Sequence, residues 1–275
     1  MRAAVLGDPI EHSLSPTLHR AAYRALGLDW SYDAVRVPAG GLREFVEELD
    51  DEWRGLSLTM PLKREALALL DGRDQWVELT GAANTLLFEP DGRRYGLNTD
   101  VTGALMALSE HEQPLDRAVV LGGGATATSM LVALVERGLR HAVLVVRDPA
   151  RAADTLAALA RHPKAPEVEV RTFDAVTAEV LDADVLVSTV PASAQVPELV
   201  ATFGDVPLVF EVVYWPWPTP LAAAAVQNGQ ALVSGLDLLV AQAINQVVAM
   251  TGRHDVPGGA MRDAAERVLA ERGAP

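Results

Sequence analysis

The chain has 275 residues, 49% of them hydrophobic, so it is long enough for two domains and apolar enough to form a packed core. It contains no cysteine, which excludes disulfides and cysteine nucleophiles, and its six histidines lack a ligand spacing, so no metal is expected. The formal charge of −14 disfavours nucleic acid as a partner, and no apolar run reaches the roughly 18 residues of a membrane span, so we expect a soluble, cytoplasmic protein with no membrane partner.

Strands alternate with helices along the chain, and this order predicts an α/β protein with mostly parallel sheets. In the first half the pattern also predicts a hairpin that turns at Pro90-Asp91-Gly92. The predicted strands are 3–6, 31–37, 55–59, 84–88 and 94–96, and the predicted helices are 16–26, 42–49, one from about residue 64, and 101–109.

The strands of the second half are more continuously apolar, as expected for a sheet that is buried on both faces. The change in pattern places a domain boundary at the predicted helix 101–109, and the pattern alone leaves open which domain holds the last two helices. The predicted strands are 118–121, 142–146, 168–172, 185–188, 208–212 and 231–233, and the predicted helices are 125–136, one from residue 149, 236–250 and 259–272.

A glycine run follows the first strand of the second half. The segment Gly122-Gly123-Gly124-Ala125-Thr126-Ala127 fits the pattern G-x-G-x-x-A, with a strand before it, a helix after it and a second strand about 20 residues further on. Glycine lets the backbone approach a pyrophosphate, and a helix N-terminus offers unpaired N–H groups to it. The segment therefore predicts a Rossmann-type dinucleotide site, and a tight turn without a ligand is the alternative.

The end of the second strand is where such a fold binds the adenosine ribose. An acidic residue there binds the 2′-hydroxyl of NAD, whereas arginine accommodates the 2′-phosphate of NADP. Arg147 and Asp148 lie side by side at this point, and Arg151 follows one turn later. Because Asp148 also suits the N-cap of the helix that begins at Pro149, we interpret it as a cap and favour NADP over NAD.

Lysine is rare in this chain, where Lys63 and Lys164 are the only two among 23 basic residues. Unlike arginine, lysine can act as an acid or a base. Lys63 follows the carboxyl end of a predicted strand, which is where open α/β sheets bind their ligands. We therefore expect a catalytic lysine at this position, and a solvated lysine at a helix start is the alternative.

Other polar residues of the first half fit the same site. Ser13 and Ser15 precede a helix, where they either cap it or hold a carboxylate. Asn84 and the segment Asn98-Thr99-Asp100 are either turn residues or ligands for ring hydroxyls. A lysine with an aspartate can pass a proton to or from an alkoxide, so the set suits chemistry on a polyol.

In order along the chain, these motifs resemble those of the shikimate dehydrogenases. The similarity runs from about residue 7 to residue 250, and the ordered set is far more specific than any one motif. The matching segments are Gly7-Asp8-Pro9-Ile10 with His12-Ser13-Leu14-Ser15-Pro16 and His19, Leu58-Thr59-Met60-Pro61-Leu62-Lys63, Gly81-Ala82-Ala83-Asn84-Thr85-Leu86, Asn98-Thr99-Asp100, the glycine run, Tyr214-Trp215-Pro216-Trp217-Pro218-Thr219-Pro220-Leu221, and Gly235-Leu236-Asp237-Leu238-Leu239-Val240-Ala241-Gln242.

The resemblance implies a role for each matching residue. It implies a catalytic pair, Lys63 and Asp100. The implied substrate ligands are Ser13, Ser15 and Tyr214 for the carboxylate and Thr59, Asn84 and Gln242 for the ring hydroxyls. The implied cofactor-binding residues are Gly122, Gly123, Gly124, Ala125 and Ala127 in the glycine loop, Arg147 and Arg151 at the 2′-phosphate, and Thr189, Val212 and Gly235, the last near the nicotinamide.

The resemblance also implies the domain layout and the reaction. Residues 1–101, with 239–275 returning to them, would form the substrate-binding catalytic domain, and residues 102–238 the NADP-binding Rossmann domain. The implied reaction is the reversible reduction of 3-dehydroshikimate to shikimate with NADPH, without a metal, in a monomer or homodimer. The alternatives are a dehydrogenase of quinate or an aminated shikimate analogue that uses NAD, and a non-catalytic, dinucleotide-binding regulator.

The chain departs from the family pattern at four places. Ser57 replaces a frequent Asn, the order Gly123-Gly124-Ala125 replaces Ala-Gly-Gly, Val146-Arg147-Asp148 replaces Asn-Arg-Thr, and Glu211 replaces Asp. The third departure bears on the choice of cofactor. None of the four touches the implied catalytic pair.

Overall fold

The computed structural model describes residues 1–176 and 182–273. The chain divides into two compact units, Met1–Gly103 with Leu239–Pro275, and Ala104–Leu238. It passes from one unit to the other within two helices, Thr99–Ala107 and Gly235–Thr251. Within the described ranges, no helix has both the length and the apolar character to cross a membrane, and no group of acidic and histidine side chains suits a metal ion.

The described residues form ten α-helices. The α-helices in chain order are α1 (Ser15–Ala25), α2 (Leu42–Glu47), α3 (Gln75–Thr80), α4 (Thr99–Ala107), α5 (Ala125–Glu136), α6 (Ala153–Ala160), α7 (Pro197–Thr202), α8 (Pro220–Asn228), α9 (Gly235–Thr251) and α10 (Gly258–Gly273). Short 3₁₀ helices occupy Glu65–Leu69, Pro149–Ala152, Phe173–Ala175 and Ala192–Ala194.

The first unit is built on a mixed six-stranded sheet of the order β2-β1-β3-β5-β6-β4. Its strands are β1 (Arg2–Gly7), β2 (Ser31–Arg36), β3 (Trp53–Leu58), β4 (Gly72–Arg73), β5 (Thr85–Phe88) and β6 (Arg94–Leu97). β1 pairs in parallel with β2 and β3, whereas β5 runs antiparallel to both β3 and β6. The carboxyl ends of β1, β3 and β6 and the start of β5 therefore share one edge of the sheet.

The core of the first unit lies between this sheet and its helices. Leu6, Leu56 and Leu86 on the central strands are fully buried, as are Leu42 on α2 and Leu62 after β3. α10 packs against α1. The C-terminal segment thus belongs to the N-terminal unit.

The second unit holds an entirely parallel six-stranded sheet of the order β12-β11-β10-β7-β8-β9. Its strands are β7 (Arg117–Leu121), β8 (His141–Val146), β9 (Glu167–Thr172), β10 (Val185–Ser188), β11 (Leu208–Glu211) and β12 (Ala231–Val233). This is the Rossmann order, in which the strand sequence reverses between β7 and β10 and ligands bind at the carboxyl ends there. The predicted α/β class, with a mostly parallel first sheet and a Rossmann-type second sheet, is confirmed.

Some local predictions are wrong or missing. The segment after residue 64 forms a 3₁₀ helix of five residues, Glu65–Leu69, and not an α-helix; short 3₁₀ turns of this kind commonly connect other elements. β4, α3, α7 and α8 were not predicted. For α3 and α8 a signal exists in the sequence: Asp74 and Thr219 each cap the helix by accepting a hydrogen bond from a backbone N–H.

Candidate active site

Two loops at the polar edge of the first sheet lie against each other. The loop after β1 leads to Ser13 and Ser15, and the loop after β3 leads to Lys63. The Asp8 N–H donates to the Met60 carbonyl at 2.9 Å, and a Cβ on Gly7 would lie 2.3 Å from Cγ2 of Thr59. Glycine at position 7 therefore allows the two loops to meet.

Ser13 and Ser15 lie at the start of α1. The N-cap of α1 is Leu14, with no side-chain capping bond, and the Ser13 Oγ accepts from the Ser15 N–H at 3.3 Å. Ser15 is the first residue of the helix and is buried. Capping therefore accounts at most for Ser13, and the Ser15 hydroxyl has no capping role.

Lys63 and Asp100 form a close ion pair. The Lys63 Nζ donates to Asp100 Oδ2 at 2.5 Å, and the two side chains are only 12% and 9% exposed. Asp100 lies in the first turn of α4, where the helix dipole stabilises a carboxylate. The alternative of a solvated lysine is wrong, because this lysine is held at the strand edge by a nearly buried partner.

Asn84 connects the pair to the start of α4. Its Nδ2 donates to Asp100 Oδ1 at 2.8 Å and to Thr99 Oγ1 at 2.9 Å, while its Oδ1 accepts from the Thr99 N–H at 2.8 Å. The residue is 2% exposed. Asn84 is therefore a buried bridge between β5 and α4, and not a solvated turn residue.

Thr59 and Gln242 complete the group on this unit. Thr59 is half-buried, and its carbonyl accepts from Leu62 N–H at 2.8 Å in the turn that carries Lys63. The Gln242 Oε1 lies 3.5 Å from the hydroxyl of Thr99, and Gln242 is 7% exposed. A Cβ on Gly103 would lie 2.8 Å from the Gln242 Cβ, so a glycine in α4 lets α9 approach.

The implied substrate ligands thus divide between the units. Tyr214 belongs to the second unit, where it follows β11, and the remaining ones belong to the first. Like the ion pair, five implied ligands belong to the first unit: Ser13, Ser15, Thr59, Asn84 and Gln242.

In the second unit the glycine run makes the turn between β7 and α5. Gly122 has φ +105°, a left-handed conformation, and a Cβ there would lie 2.4 Å from Thr189 Oγ1. A Cβ on Gly123 would lie 2.8 Å from the Arg151 carbonyl oxygen, whereas one on Gly124 would meet nothing within 4 Å. No side chain caps α5 at Gly124, and a helix N-terminus favours a phosphate group, for which the open face of Gly124 leaves space.

The other implied cofactor residues also belong to the second unit. Ala125 and Ala127 lie in the first turn of α5, and the Thr189 hydroxyl donates to the Leu121 carbonyl at 2.8 Å. Gly235 begins α9 so close to the end of β11 that a Cβ would lie 2.3 Å from the Val212 carbonyl oxygen. Glycine is thus required at position 235 by the packing of the backbone.

Arg147 and Arg151 are both exposed, and neither forms an ion pair with a described carboxylate. The carboxylate between them is used elsewhere, because Asp148 Oδ1 accepts from the Ala150 N–H at 3.0 Å and caps the 3₁₀ helix. The capping interpretation of Asp148 is confirmed. Two guanidinium groups therefore remain for an anion beside the glycine turn.

Glu211 takes part in a buried network that the sequence did not predict. At the end of β11 it accepts from the Val213 N–H at 3.0 Å, from Thr219 Oγ1 at 2.9 Å and from Gln195 Nε2 at 2.7 Å. Burial raises the pKa of its carboxyl above the ordinary value. Two of the donors, Val213 and Thr219, fix the two ends of the segment that contains Tyr214.

The comparisons with known proteins agree with this architecture. Residues 5–86 match the family described as the shikimate dehydrogenase substrate binding domain. Over 281 residues the chain is 35% identical to the shikimate dehydrogenase (NADP(+)) of Methylobacterium radiotolerans, with 98% of this chain and 97% of that relative covered.

Two solved structures share the fold over nearly the whole length. The shikimate 5-dehydrogenase of Mycobacterium fortuitum is 41% identical, with a TM-score of 0.85 over 96% of this chain and 97% of that one. The shikimate 5-dehydrogenase of Thermus thermophilus in complex with NADP(H) and shikimate is 32% identical, with a TM-score of 0.83 over 97% of this chain and 99% of that one. The resemblance of the ordered motifs is thereby confirmed, and the chain belongs to the shikimate dehydrogenase family.

Proposed function

We propose that the protein catalyses the reversible reduction of 3-dehydroshikimate to shikimate with NADPH. The observation that carries this proposal is the nearly buried pair of Lys63 and Asp100, 2.5 Å apart beside the Asn84 amide. The family to which the chain belongs supports the same reaction. A regulator without activity would have no need to keep a charged pair out of water, since burying it costs free energy.

The substrate ligands follow from the groups that the first unit assembles. Hydroxyl and amide side chains bind ring hydroxyls by donating and accepting hydrogen bonds. Asn84 and Gln242 both contact the Thr99 hydroxyl, and we assign both to this role. The hydroxyls of Ser13 and Ser15 at the start of α1 suit the substrate carboxylate, because the helix N-terminus stabilises a negative charge. Tyr214 is proposed as a further ligand of the carboxylate.

The ion pair handles the proton. As the carbonyl carbon is reduced, its oxygen becomes an alkoxide, and Lys63 Nζ with Asp100 supplies the proton that this oxygen takes up. In the oxidation direction the pair accepts the hydroxyl proton. Because the two groups lie 2.5 Å apart, we assign the proton to the pair and not to one residue.

The residues of the second unit fit a dinucleotide. Gly124 leaves open space beside the uncapped start of α5, which suits the pyrophosphate. Arg147 and Arg151 would hold the 2′-phosphate, and because Asp148 is engaged as a cap, we propose NADP and not NAD. When bound, the reduced nicotinamide supplies the hydride. Gly122, Gly123, Ala125, Ala127, Thr189, Val212 and Gly235 complete the proposed cofactor site. A cytoplasmic location and a monomeric or homodimeric state stay predictions.

The experiment is a steady-state assay of nicotinamide reduction with shikimate and with quinate, each with NADP⁺ and with NAD⁺. We expect rapid turnover with shikimate and NADP⁺. For Lys63→Ala we expect a fall in kcat of about 10²- to 10⁴-fold, the range of acid–base catalysis, with little change in affinity for NADP⁺.

The control is Lys164→Ala, which removes the only other lysine, an exposed residue of the second unit, and should leave kcat unchanged. Near-normal turnover by Lys63→Ala would remove the proposed role of the pair. A preference for quinate or NAD⁺ would keep the chemistry but reassign the ligands. Cofactor binding without turnover on either substrate would point to the regulator.

A further inference from the structure

A line of buried polar side chains runs from β2 to the ion pair, and most of it has no role in the proposed chemistry. Its six members come from five different places in the chain and are at most 6% exposed. They are Tyr32, Ser57, Gln246, Thr85, Asn84 and Asp100.

The first half of the line joins β2, β3 and α9. The Tyr32 hydroxyl donates to Ser57 Oγ at 2.5 Å, and the Ser57 hydroxyl donates to Gln246 Oε1 at 2.8 Å. Ser57 is the position at which the family often has Asn. Its short side chain is here bonded on both sides, so the departure from the pattern is accommodated by Tyr32 and Gln246.

The second half joins α9, β5 and α4. Gln246 Nε2 donates to Thr85 Oγ1 at 3.0 Å, and the Thr85 hydroxyl donates to Asn84 Oδ1 at 2.9 Å. The Asn84 Nδ2 then donates to Asp100 Oδ1 at 2.8 Å. The line therefore ends on the carboxylate that binds Lys63.

Backbone groups fix the direction of every bond in this line. The Thr99 N–H can only donate, so it requires the oxygen of the Asn84 side chain on its side. The backbone carbonyl of Asn84 can only accept a hydrogen bond. Its contact with the Gln246 side chain at 3.3 Å must therefore be made by Nε2 of Gln246. Thr85 and Ser57 therefore face amide oxygens, so Thr85 donates to Asn84 and Ser57 donates to Gln246. Because each hydroxyl has one proton, the Ser57 hydroxyl has none left for Tyr32, and Tyr32 donates to Ser57.

All donors consequently point toward Asp100. Hydrogen bonds aligned in one direction polarise one another, so the Asn84 N–H that reaches the carboxylate is a stronger donor than an isolated amide. Tyr32 stays protonated and able to donate, because burial raises its pKa well above the ordinary value. The ring of Tyr32 is itself held in place, since it stacks on His19 at 3.9 Å.

We propose that Tyr32, Ser57, Gln246 and Thr85 are positioning residues, which orient the Asn84 amide and through it the Asp100 carboxylate of the catalytic pair. This inference rests on the proposed function for the meaning of the pair. A purely structural network would stabilise the fold but leave the geometry of Asn84 and the rate of the chemical step unchanged. Two measurements distinguish these possibilities: kcat of the variants, and the strength of the hydrogen bond from Asn84 to Asp100.

The first test compares Tyr32→Phe with Tyr23→Phe. Both remove one hydroxyl from a buried aromatic ring of the same cluster, but the Tyr23 hydroxyl contacts the Met250 sulfur at 3.9 Å and is not part of the line. For Tyr32→Phe we expect kcat to fall about three- to tenfold, the effect of one weakened hydrogen bond, with KM for shikimate within about twofold of wild type. Tyr23→Phe should retain the wild-type kcat.

The second readout needs no turnover. The chain has four asparagines, so ¹⁵N labelling of Asn side chains gives a sparse spectrum in which Asn84 is assigned by its loss in Asn84→Ser. We expect the Asn84 amide protons to move upfield and to exchange faster with solvent in Tyr32→Phe, because their bond to Asp100 weakens. In Tyr23→Phe both properties should remain those of the wild type.

The third comparison is Thr85→Val with Thr85→Ser. Valine keeps the shape and removes the hydroxyl, whereas serine keeps the hydroxyl, so serine should restore kcat and the Asn84 signal and valine should not. Wild-type kcat and Asn84 signals in Tyr32→Phe and Thr85→Val would overturn the proposal, even if both variants melt earlier. If the wild type does not turn over shikimate, the proposed function fails, and the Asn84 signals alone decide whether the line positions the amide.

Discussion

At the scale of single residues, His19 is a buried histidine that folding keeps neutral. It is 0% exposed, and burial lowers its pKa from the ordinary 6.5 to about 4. The Nδ1 atom lies 3.0 Å from the Ser15 carbonyl oxygen, which can only accept, so Nδ1 carries the proton. Nε2 is buried without a hydrogen-bond partner, so a second proton there would remain unsatisfied.

This histidine makes stability depend on pH in a known direction. Its pKa is lower in the folded state, so the unfolded chain binds more protons between the two pKa values, and the stability present above pH 6.5 is lost as the pH falls toward about 4. The shift amounts to about 3 kcal/mol at most. His19→Asn keeps a donor near the Ser15 carbonyl but does not titrate, so its unfolding free energy should change less between pH 7 and pH 4.5.

The measurement is urea unfolding of wild type and His19→Asn across this range. His254→Asn is the control, because His254 is exposed and should leave the pH dependence of unfolding as it is in wild type. If wild type and His19→Asn lose the same free energy on acidification, His19 is not the group responsible.

The role of a residue could be predicted from the sequence when the residue belongs to a motif. It could not be predicted when it depends on a contact between distant parts of the chain. Lys63 and Asn98-Thr99-Asp100 stand out in the sequence by type and position, and the structure brings Lys63 and Asp100 together. The partners Tyr32 and Gln246 carry no such signal, since an isolated Tyr on a strand or Gln on a helix has many ordinary uses. Their bonds to Ser57 span 25 and 189 residues, so only the fold reveals them.

At the scale of elements, the turn after β8 brings two arginines to the glycine loop. The 3₁₀ helix Pro149–Ala152 packs on Gly123, where a side chain would collide with the Arg151 carbonyl. The Asp148 carboxylate caps this helix by accepting from the Ala150 N–H, so this acidic residue has a structural role. We therefore propose that this element favours NADP, because it offers two exposed arginines while Asp148 between them caps the helix.

The double variant Arg147→Ala/Arg151→Ala tests this selection. A charge-assisted hydrogen bond contributes about 1.5–3 kcal/mol, so we expect KM for NADP⁺ to rise at least tenfold, while KM for NAD⁺, which lacks the 2′-phosphate, changes little. Steady-state kinetics with both cofactors give the ratio. Arg161→Ala removes an exposed charge at the end of α6 and serves as the control for the change in net charge. An equal loss with both cofactors would contradict recognition of the phosphate by these arginines.

Elements with a strong periodic or apolar signal were predictable, and short ones were not. The buried strands β7, β8 and β10 and the helix α5 match their predictions within a residue at either end. In contrast, α3 and α7 each have six residues, too few for a periodic pattern, and are held by their neighbours in the fold. The 3₁₀ helix Glu65–Leu69 has only five residues and gives no periodic pattern for the same reason.

At the scale of the molecule, the two units differ in how the chain builds them. The second unit is one continuous stretch, Ala104–Leu238, with its own parallel sheet and its own buried core. The first unit is assembled from both ends of the chain, because α10 covers α1 and α9 supplies Gln246 and Gln242. Sequence pattern alone left the last two helices unassigned; the family resemblance supplied their return to the first unit.

This difference predicts how fragments behave. Residues 104–238 should fold alone, since the sheet, the core and all of the proposed cofactor ligands lie within them. NADP⁺ at about 100 times its dissociation constant should then stabilise the fragment by about 2.7 kcal/mol, measured as a rise in the thermal unfolding midpoint. Residues 1–103 should not fold alone, because the buried side chains of α1 and the hydroxyl of Ser57 lose their partners from α9 and α10. Shikimate is the control ligand for the fragment 104–238, because only Tyr214 of its proposed ligands is present there. A fragment that stays unfolded, or that gains no stability from NADP⁺, would show that this unit depends on the rest of the chain for its structure or for its cofactor site.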